Sequence, residues 1–200
     1  MLKIGVAGGI GSGKTMVCQV FEVLGVPVFY ADTAAKEIMY TDKKLKQEIQ
    51  TFFGERSYTS DGDLDRKYLA NIVFNDKQKL NKLNAIVHPA VFSAFDHWTL
   101  KQHHVPYVVK EAALLFESGS HTMCDYSVLV KAPLDLRIHR IIQRDHISLE
   151  EVSLRMNRQF TDEQKEKMAN YILINDEQKL LIPEIIGLHE HFSKLDKKLV

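Results

Sequence analysis

Short runs rich in β-branched and aromatic residues alternate along the chain with longer segments whose apolar residues recur three or four positions apart. The longer segments predict helices, and the short runs predict strands at residues 2–7, 26–30, 106–111, 126–131 and 171–174. Strands that alternate with helices pair mostly in parallel. The pattern therefore predicts a three-layer α/β fold with a five-stranded, mostly parallel sheet.

Helical periodicity also fills the interval between the second and third strands. This interval of about 75 residues is far longer than one crossover connection needs. Leu69, Ile72 and Val73 form an apolar stripe within it. Because proline lacks the N–H of the helical ladder, we expect one helix to end at His88-Pro89 and another to run to about residue 103. The interval predicts an inserted helical subdomain.

The first strand leads directly into residues 8–15, whose sequence GGIGSGKT is a complete G-x-x-x-x-G-K-[ST] phosphate loop. Its glycines let the backbone turn with N–H groups pointing inward around a phosphate chain. The helix predicted over residues 14–24 adds the positive end of its dipole. The alternative is a glycine-rich turn that binds nothing. The strand before the loop and the Lys-Thr pair at its end argue against that alternative.

Each position at the end of the loop has its own predicted contact. Lys14 reaches the β- and γ-phosphates, and the Thr15 hydroxyl ligates Mg²⁺. Met16 follows in the first turn of the helix, where we expect its backbone N–H, and not its side chain, to contact phosphate. The loop therefore predicts a nucleotide and Mg²⁺ as ligands.

Charge and composition narrow the classes of partner. Lys plus Arg and Asp plus Glu number 26 each among 200 residues, and the pI is near 7.1. We therefore expect no broad binding of nucleic acid or membranes. No stretch approaches ~18 apolar residues, and Cys18 and Cys124 lack metal-ligand spacing and are expected to be free thiols. The expectation is a soluble cytoplasmic protein, monomeric or weakly self-associating.

A helix predicted over residues 134–146 carries three arginines on one face, at Arg137, Arg140 and Arg144. Two capping boxes follow, at Ser148–Glu151 and Thr161–Gln164, and each predicts the start of a short helix. The arginines either form a solvated face balanced by acidic neighbours or supply the mobile positive charge that covers a transferring phosphoryl group. The second interpretation predicts a lid over the phosphate loop.

Three carboxylates lie at or after strand ends. Asp32 follows the second strand, at the sheet edge where ligands bind in open α/β folds. It either acts on an attacking hydroxyl or on a Mg²⁺ water, or it caps a helix that starts at Thr33. Glu111 is a candidate for the Mg²⁺ water shell or for anchoring the following loop. Glu117 is either a surface loop residue or a partner of a residue in the site.

Short motifs recur in a fixed order along the chain. They are GGIGSGKT at 8–15, Tyr30-Ala31-Asp32, Leu64-Asp65-Arg66, Val73-Phe74, Leu83-Asn84, His88-Pro89, Ala113-Leu114-Leu115-Phe116-Glu117, Arg140 with Arg144-Asp145, Arg155 with Gln159, and Lys165 with Ala169, Asn170 and Asn175. Apart from the phosphate loop each motif is weak alone, but their order and spacing together are specific. By these motifs the chain resembles the dephospho-coenzyme A kinase family of phosphate-loop kinases almost end to end.

The resemblance implies that ATP donates its γ-phosphoryl group to the 3′-hydroxyl of the ribose in dephospho-coenzyme A, the last step of coenzyme A synthesis. It implies that Asp32 is the general base and that Lys14, Arg140 and the Mg²⁺ on Thr15 neutralise charge. Arg66 and His88 would contact or shape the acceptor site, although His88 can also be a packed helix-end residue. The implied nucleotide-binding residues are Gly11, Ser12, Gly13, Lys14, Thr15, Met16 and Asn175, the last near the adenine.

The resemblance also implies a division of the chain. The core would comprise residues 1–32, 105–135 and 168–200, the helical acceptor-binding subdomain residues 33–104, and the lid residues 136–167. Five positions depart from the family pattern, and they make the geometry of the metal the least predictable part of the site. They are Tyr30 for an acid, Glu111 for Asp, Ala113 for Pro, Arg137 for a frequent lid glutamine, and Asn170 for Asp.

Other nucleotide-binding classes are less compatible with the sequence. A GTPase would need an Asn-Lys-x-Asp motif after a late strand, and the chain lacks one. Another small-molecule kinase, of the nucleoside monophosphate type, would share the loop and lid but not the long insertion with its Leu-Asp-Arg and His-Pro motifs. A non-catalytic nucleotide-binding regulator would have no need of the base Asp32.

Overall fold

The computed structural model describes residues 1–73 and 76–196, so Phe74 of the Val73-Phe74 motif lies outside the described residues. Its strands form one five-stranded sheet with the order β2-β3-β1-β4-β5, and all four pairings in it are parallel. The predicted α/β fold is therefore confirmed. The strands are β1 (Leu2–Gly8), β2 (Val28–Tyr30), β3 (Tyr107–Glu111), β4 (Tyr126–Lys131) and β5 (Tyr171–Ile174).

All five predicted strands are present within two residues of their predicted ends. The largest difference is in β2, which begins at Val28 because Pro27 has no N–H to donate. The Pro27 carbonyl still accepts a hydrogen bond of 2.9 Å from the Val109 N–H. The helices are α1 (Lys14–Val23), α2 (Ala31–Thr41), α3 (Lys43–Phe53), α4 (Arg66–Val73), α5 (Lys77–Leu100), α6 (Leu134–Asp145), α7 (Leu149–Met156), α8 (Asp162–Glu166) and α9 (Leu181–Asp196).

The chain divides into two compact units. The sheet unit combines Met1–Tyr30 with the chain from Thr99 onward, and the helical unit is Ala31–Trp98. In the sheet unit, Val17, Cys18 and Phe21 of α1 are fully buried in the core around the sheet. The Phe21 ring meets Tyr107 of β3 edge-on, with 6.2 Å between the ring centroids. This packing fixes α1, and with it the loop that precedes α1.

The helical unit is held by the buried faces of its helices. Leu45, Ile49 and Phe53 recur every four residues on the buried side of α3. Of the predicted stripe on α4, Leu69 and Val73 are buried and Ile72 is half-buried. The prediction of a helix break at His88-Pro89 is wrong, because the 24-residue helix α5 contains Pro89 in its interior and ends only at Leu100. A proline removes one donor from the ladder, and a helix this long retains the bonds of its other turns.

Within residues 1–73 and 76–196, no helix combines the length and apolar character that a membrane span requires.

Candidate active site

The phosphate loop lies between the end of β1 and the start of α1, as predicted. Gly11 and Gly13 adopt left-handed conformations, with φ of 81° and 95°. A Cβ atom at Gly13 would lie 2.2 Å from Asn175 Nδ2, and one at Gly11 would lie 2.6 Å from the Arg137 carbonyl oxygen. Both positions therefore require glycine, because the backbone is left-handed there and a Cβ atom would have no room.

The Lys14 side chain is buried and lies along the loop. Its Nζ donates to the carbonyl oxygens of Gly8 and Gly9 at 3.1 and 3.4 Å. The Val17 N–H donates to the Gly13 carbonyl oxygen at 3.2 Å, within the first turn of α1. The N–H groups of the three preceding residues therefore lie in the part of the helix that lacks intrahelical acceptors. These N–H groups belong to Lys14, Thr15 and Met16, and they are suited to bind an anion.

Arg140 of α6 lies over this loop. Its Nη1 is 3.4 Å from the Gly11 carbonyl oxygen, and its Nη2 is 3.4 Å from Asn175 Oδ1 and 2.8 Å from Glu177 Oε1. The loop and α6 line a cavity of about 220 Å³, and three cationic residues are part of its lining. The lining residues are Gly11, Gly13, Lys14, Thr15, Arg140, Ile141 and Arg144.

Asn175 joins the end of β5 to the same loop. Its side chain is buried, and Nδ2 donates to the Ser12 carbonyl oxygen at 2.9 Å. Its backbone N–H donates to the Lys131 carbonyl oxygen at 2.7 Å. The structure therefore brings together Asn175, Arg140 and the loop residues that the sequence predicted as one site.

Arg137 supports the loop from the other side. Only 8% of its side chain is exposed, so the interpretation of a solvated helix face is wrong for this arginine. Its Nε donates to the Ile10 carbonyl oxygen at 3.0 Å, and its Nη1 is 3.1 Å from Asp162 Oδ2. Gln159 Oε1 accepts the Ile10 N–H at 2.8 Å. Both backbone polar groups of Ile10 are thus bound by residues from the segment between β4 and β5.

Asp145, at the end of α6, pairs with two arginines of that segment. Its carboxylate accepts from Arg144 Nε at 2.7 Å and from Arg155 Nη1 at 2.6 Å. The hydrogen bond from Arg144 is the main reason that the pKa of Asp145 lies below its usual value, and Arg155 lowers this pKa further. These contacts connect α6 to α7. Both predicted capping boxes, at Ser148 and Thr161, are present.

Glu117 is largely buried and paired with a lysine, so the interpretation that it is a surface loop residue is wrong. Its Oε1 accepts the Phe160 N–H at 2.7 Å and lies 3.2 Å from Lys165 Nζ. The Lys165 side chain is 1% exposed and that of Glu117 is 11% exposed. A buried pair of opposite charges therefore ties the loop after β3 to the residues around α8. Pairing within the low-dielectric interior offsets part of the cost of burying both charges.

The strand ends nearest the loop differ from the family pattern. Glu111 ends β3, is buried, and lies in register with Tyr30 of β2 and Val6 of β1. The Tyr30 hydroxyl donates to Glu22 Oε2 of α1 at 2.9 Å. Burial raises the pKa of the Tyr30 phenol, and the hydrogen bond to Glu22 raises it further. The residue in place of the family acid is therefore a neutral phenol that contacts α1.

Three predicted residues belong to the helical unit. Asp32 is exposed and is the second residue of α2, so the interpretation that it caps a helix starting at Thr33 is wrong. The guanidinium of Arg66, at the start of α4, lies 5.7 Å from the centroid of the Tyr40 ring. His88 lies within α5, with its ring stacked on Phe92 at a centroid distance of 5.9 Å.

Sequence reasoning assigned no role to three residues that contact this site. Gln159 was part of a family motif only, and Asp162 lies within a segment interpreted as a capping box. Glu177 carried no signal, because neither its left-handed backbone nor its contact with Arg140 is visible in the sequence. The burial of Arg137, which implies a nearby carboxylate, is itself not visible in the sequence, so Asp162 carried no signal either.

Comparisons with known proteins agree with one another. A model of the dephospho-CoA kinase family matches residues 2–180. The dephospho-CoA kinase of Bacteroides fragilis (strain YCH46) is 38% identical over 187 residues, which cover 94% of this chain and 91% of the relative. Two solved structures align over nearly the whole chain. TT1252 of Thermus thermophilus is 32% identical with a TM-score of 0.81 and 97% of both chains covered. Dephospho-CoA kinase from Campylobacter jejuni is 26% identical with a TM-score of 0.68, covering 96% of this chain and 97% of that one.

Proposed function

The chain belongs to the dephospho-CoA kinase family, and we propose that its phosphate loop, Arg140 and Asp32 carry out the family's reaction. It is an ATP-dependent transferase of the last step of coenzyme A synthesis. The γ-phosphoryl group of ATP passes to the 3′-hydroxyl of the ribose in dephospho-coenzyme A, giving coenzyme A and ADP. The family assignment is preferred to the two alternative functions, a nucleoside monophosphate kinase and a non-catalytic nucleotide-binding regulator.

One observation carries the assignment of roles: Lys14 and Arg140 line the same cavity around the loop. Two cations on either side of a transferring phosphoryl group neutralise the charge that develops on its oxygens. Because Asn175 and Gly11 also contact the Arg140 guanidinium, this group is held near the loop before any substrate arrives. Preorganised charge of this kind requires little rearrangement during the reaction.

Asp32 is proposed as the general base. It follows the last residue of β2 by two positions, and the parallel strands β2, β3 and β1 end at the same edge of the sheet as the loop. Its exposed carboxylate can accept the proton of the 3′-hydroxyl as that oxygen bonds to phosphorus and the bond to ADP breaks.

Mg²⁺ is proposed to bind beside Thr15. The exposed Thr15 lines the cavity next to Lys14, and hydroxyl, phosphate and water oxygens are the ligands that Mg²⁺ prefers. When bound, the ion supplies charge neutralisation on the β- and γ-phosphates. The buried Glu111 at the end of β3 remains a candidate for its water shell.

The remaining assignments divide the chain between donor and acceptor. We propose that the helical subdomain 33–104 binds dephospho-coenzyme A, with Arg66 and His88 as its contacts, and that residues 136–167 form the lid. Asn175, at the end of β5, borders the adenine of ATP. Cys18 and Cys124 are free thiols, which supports a reducing compartment such as the cytoplasm.

The test is an assay of ATP consumption with Mg²⁺ and dephospho-coenzyme A beside AMP, CMP and shikimate as alternative acceptors, with each product identified by mass. Coenzyme A formed from the first acceptor alone is the expected result. Turnover with AMP or CMP in preference to dephospho-coenzyme A would contradict the proposal. Tight ATP binding with no product from any acceptor would instead indicate a regulator.

A further inference from the structure

The turn after β5 contains a backbone conformation that glutamate rarely adopts. Glu177 has a φ of 63°, in the left-handed region. The preceding residue stabilises the turn, because Asp176 Oδ1 accepts the N–H groups of Gln178 and Lys179 at 3.0 and 3.3 Å. A residue held in this conformation is a reason to look for a function of its side chain.

The Glu177 side chain contacts Arg140, the residue proposed to bind the γ-phosphate of ATP. Its Oε1 accepts a hydrogen bond of 2.8 Å from Arg140 Nη2, the shortest of the three contacts described for that guanidinium. The Arg140 side chain is 24% exposed and that of Glu177 is 62% exposed. The carboxylate can therefore swing into solvent without disturbing buried groups, while Arg140 remains at the cavity.

We propose that Glu177 is a positioning residue that competes with the γ-phosphate of ATP for the Arg140 guanidinium and thereby lowers the affinity for ATP. The inference rests on the proposed function for the role of Arg140. A carboxylate and a phosphate oxygen are both anionic acceptors for the same N–H donors. The phosphate carries more charge and also binds Lys14 and the loop, so it displaces the carboxylate from Arg140.

The experiment is titration calorimetry of ATP on the full chain, with kcat and KM measured in parallel. In Glu177→Gln the dissociation constant for ATP should fall about two- to fivefold, the scale of an exposed ion pair, while kcat stays within about twofold. Structural damage to the turn would not tighten binding. Glu177→Gly removes the carboxylate and also relieves the left-handed strain, and it should give the same gain in affinity. The matched control is Glu184→Gln, an exposed carboxylate in the first turn of α9, which should change nothing.

A double-mutant cycle tests whether the effect passes through Arg140. In an Arg140→Ala background, Glu177→Gln should leave the dissociation constant for ATP unchanged. An unchanged or weaker affinity of Glu177→Gln in the otherwise unaltered chain overturns the inference. If Arg140→Ala weakens ATP binding and turnover in that case, the proposed function of Arg140 stands and only the competition fails. If Arg140→Ala itself has no effect, the role of Arg140 is wrong and the inference fails with it.

Discussion

The sheet unit and the helical unit present their proposed site residues in different ways. In the sheet unit, Gln159, Arg137, Arg140 and Asn175 contact the backbone of loop residues Ile10, Gly11 and Ser12. In the helical unit, Asp32 and Arg66 are exposed residues in the first turns of α2 and α4. The guanidinium of Arg140, a proposed charge-neutralising group, is thus held at the loop in the absence of ATP. The proposed base and acceptor contacts remain accessible to a second substrate.

This difference matters because the two halves of a phosphoryl transfer make different demands. Stabilising charge on the transferring group benefits most from rigid donors, whose orientation is established during folding. Receiving a long acceptor requires an open surface and a base that an incoming hydroxyl can reach. Loss of a cation at the loop should therefore lower kcat, whereas loss of the acceptor contact Arg66 should raise the KM for dephospho-coenzyme A.

The largest expected effect comes from removing the cation inside the loop. Lys14→Ala should lower kcat by about 10²–10³-fold, because the variant loses a preorganised positive charge that stabilises the transferring γ-phosphoryl group. The measurement is steady-state turnover, with a urea unfolding curve to show that the fold remains. Lys194→Ala, an exposed lysine of α9, serves as the control and should retain full activity. Normal turnover of Lys14→Ala would show that Lys14 of the phosphate loop does not take part in the reaction.

Arg137→Gln should weaken the support of the loop. Glutamine is too short to reach both the Ile10 carbonyl oxygen and Asp162, so we expect the free energy of unfolding to fall by about 2 kcal/mol. Urea unfolding measures it. The matched change on the same helix is Arg144→Gln, whose side chain is 63% exposed and which should cost less than about 0.5 kcal/mol. Equal losses in the two variants would show that Arg137 does not anchor the loop.

Arg66→Ala tests whether the helical unit binds the acceptor. Loss of a charged contact to the acceptor should raise the KM for dephospho-coenzyme A about tenfold and leave the KM for ATP unchanged. Lys67→Ala, the exposed neighbour on α4, is the control. An equal rise in both KM values would mean that the helical unit does not act on the acceptor alone.

The smallest expected effect is the pH dependence of the free energy of unfolding that comes from Cys18 on α1. Burial raises the pKa of the Cys18 thiol, and Glu111 raises it further. The pKa of this thiol in the unfolded chain is its ordinary value of 9.0. The contribution of the thiol to stability is therefore complete below that pH and is lost as the pH rises above it.

Between pH 7 and 9.5 this loss should be less than about 1 kcal/mol. In Cys18→Ala the pH dependence of the unfolding free energy should become flatter. Val17→Ala, a buried neighbour that does not titrate, should lower stability equally at every pH. If Cys18→Ala and the unaltered chain show parallel curves, this thiol does not titrate on unfolding.

Local sequence patterns were sufficient for the strands, the phosphate loop and both capping boxes, because each depends on residues close together in the chain. They were not sufficient for the contacts that hold the loop. Arg137 and Ile10 are 127 positions apart, and their contact depends on the fold bringing α6 to the loop. The sequence also did not reveal that α5 continues through Pro89. The low helix propensity of this one proline did not end a helix of 24 residues.

The measurement that tests the central claim most directly is the turnover of Asp32→Asn, with the affinities for ATP and dephospho-coenzyme A measured by calorimetry on the same preparation. The account predicts that kcat falls at least ~10²-fold, the scale of a lost general base, while both affinities stay near those of the unaltered chain. Glu37→Gln, another exposed carboxylate on α2, should remain fully active. Near-normal turnover of Asp32→Asn would contradict the account, because the proton of the acceptor hydroxyl would then leave by another route.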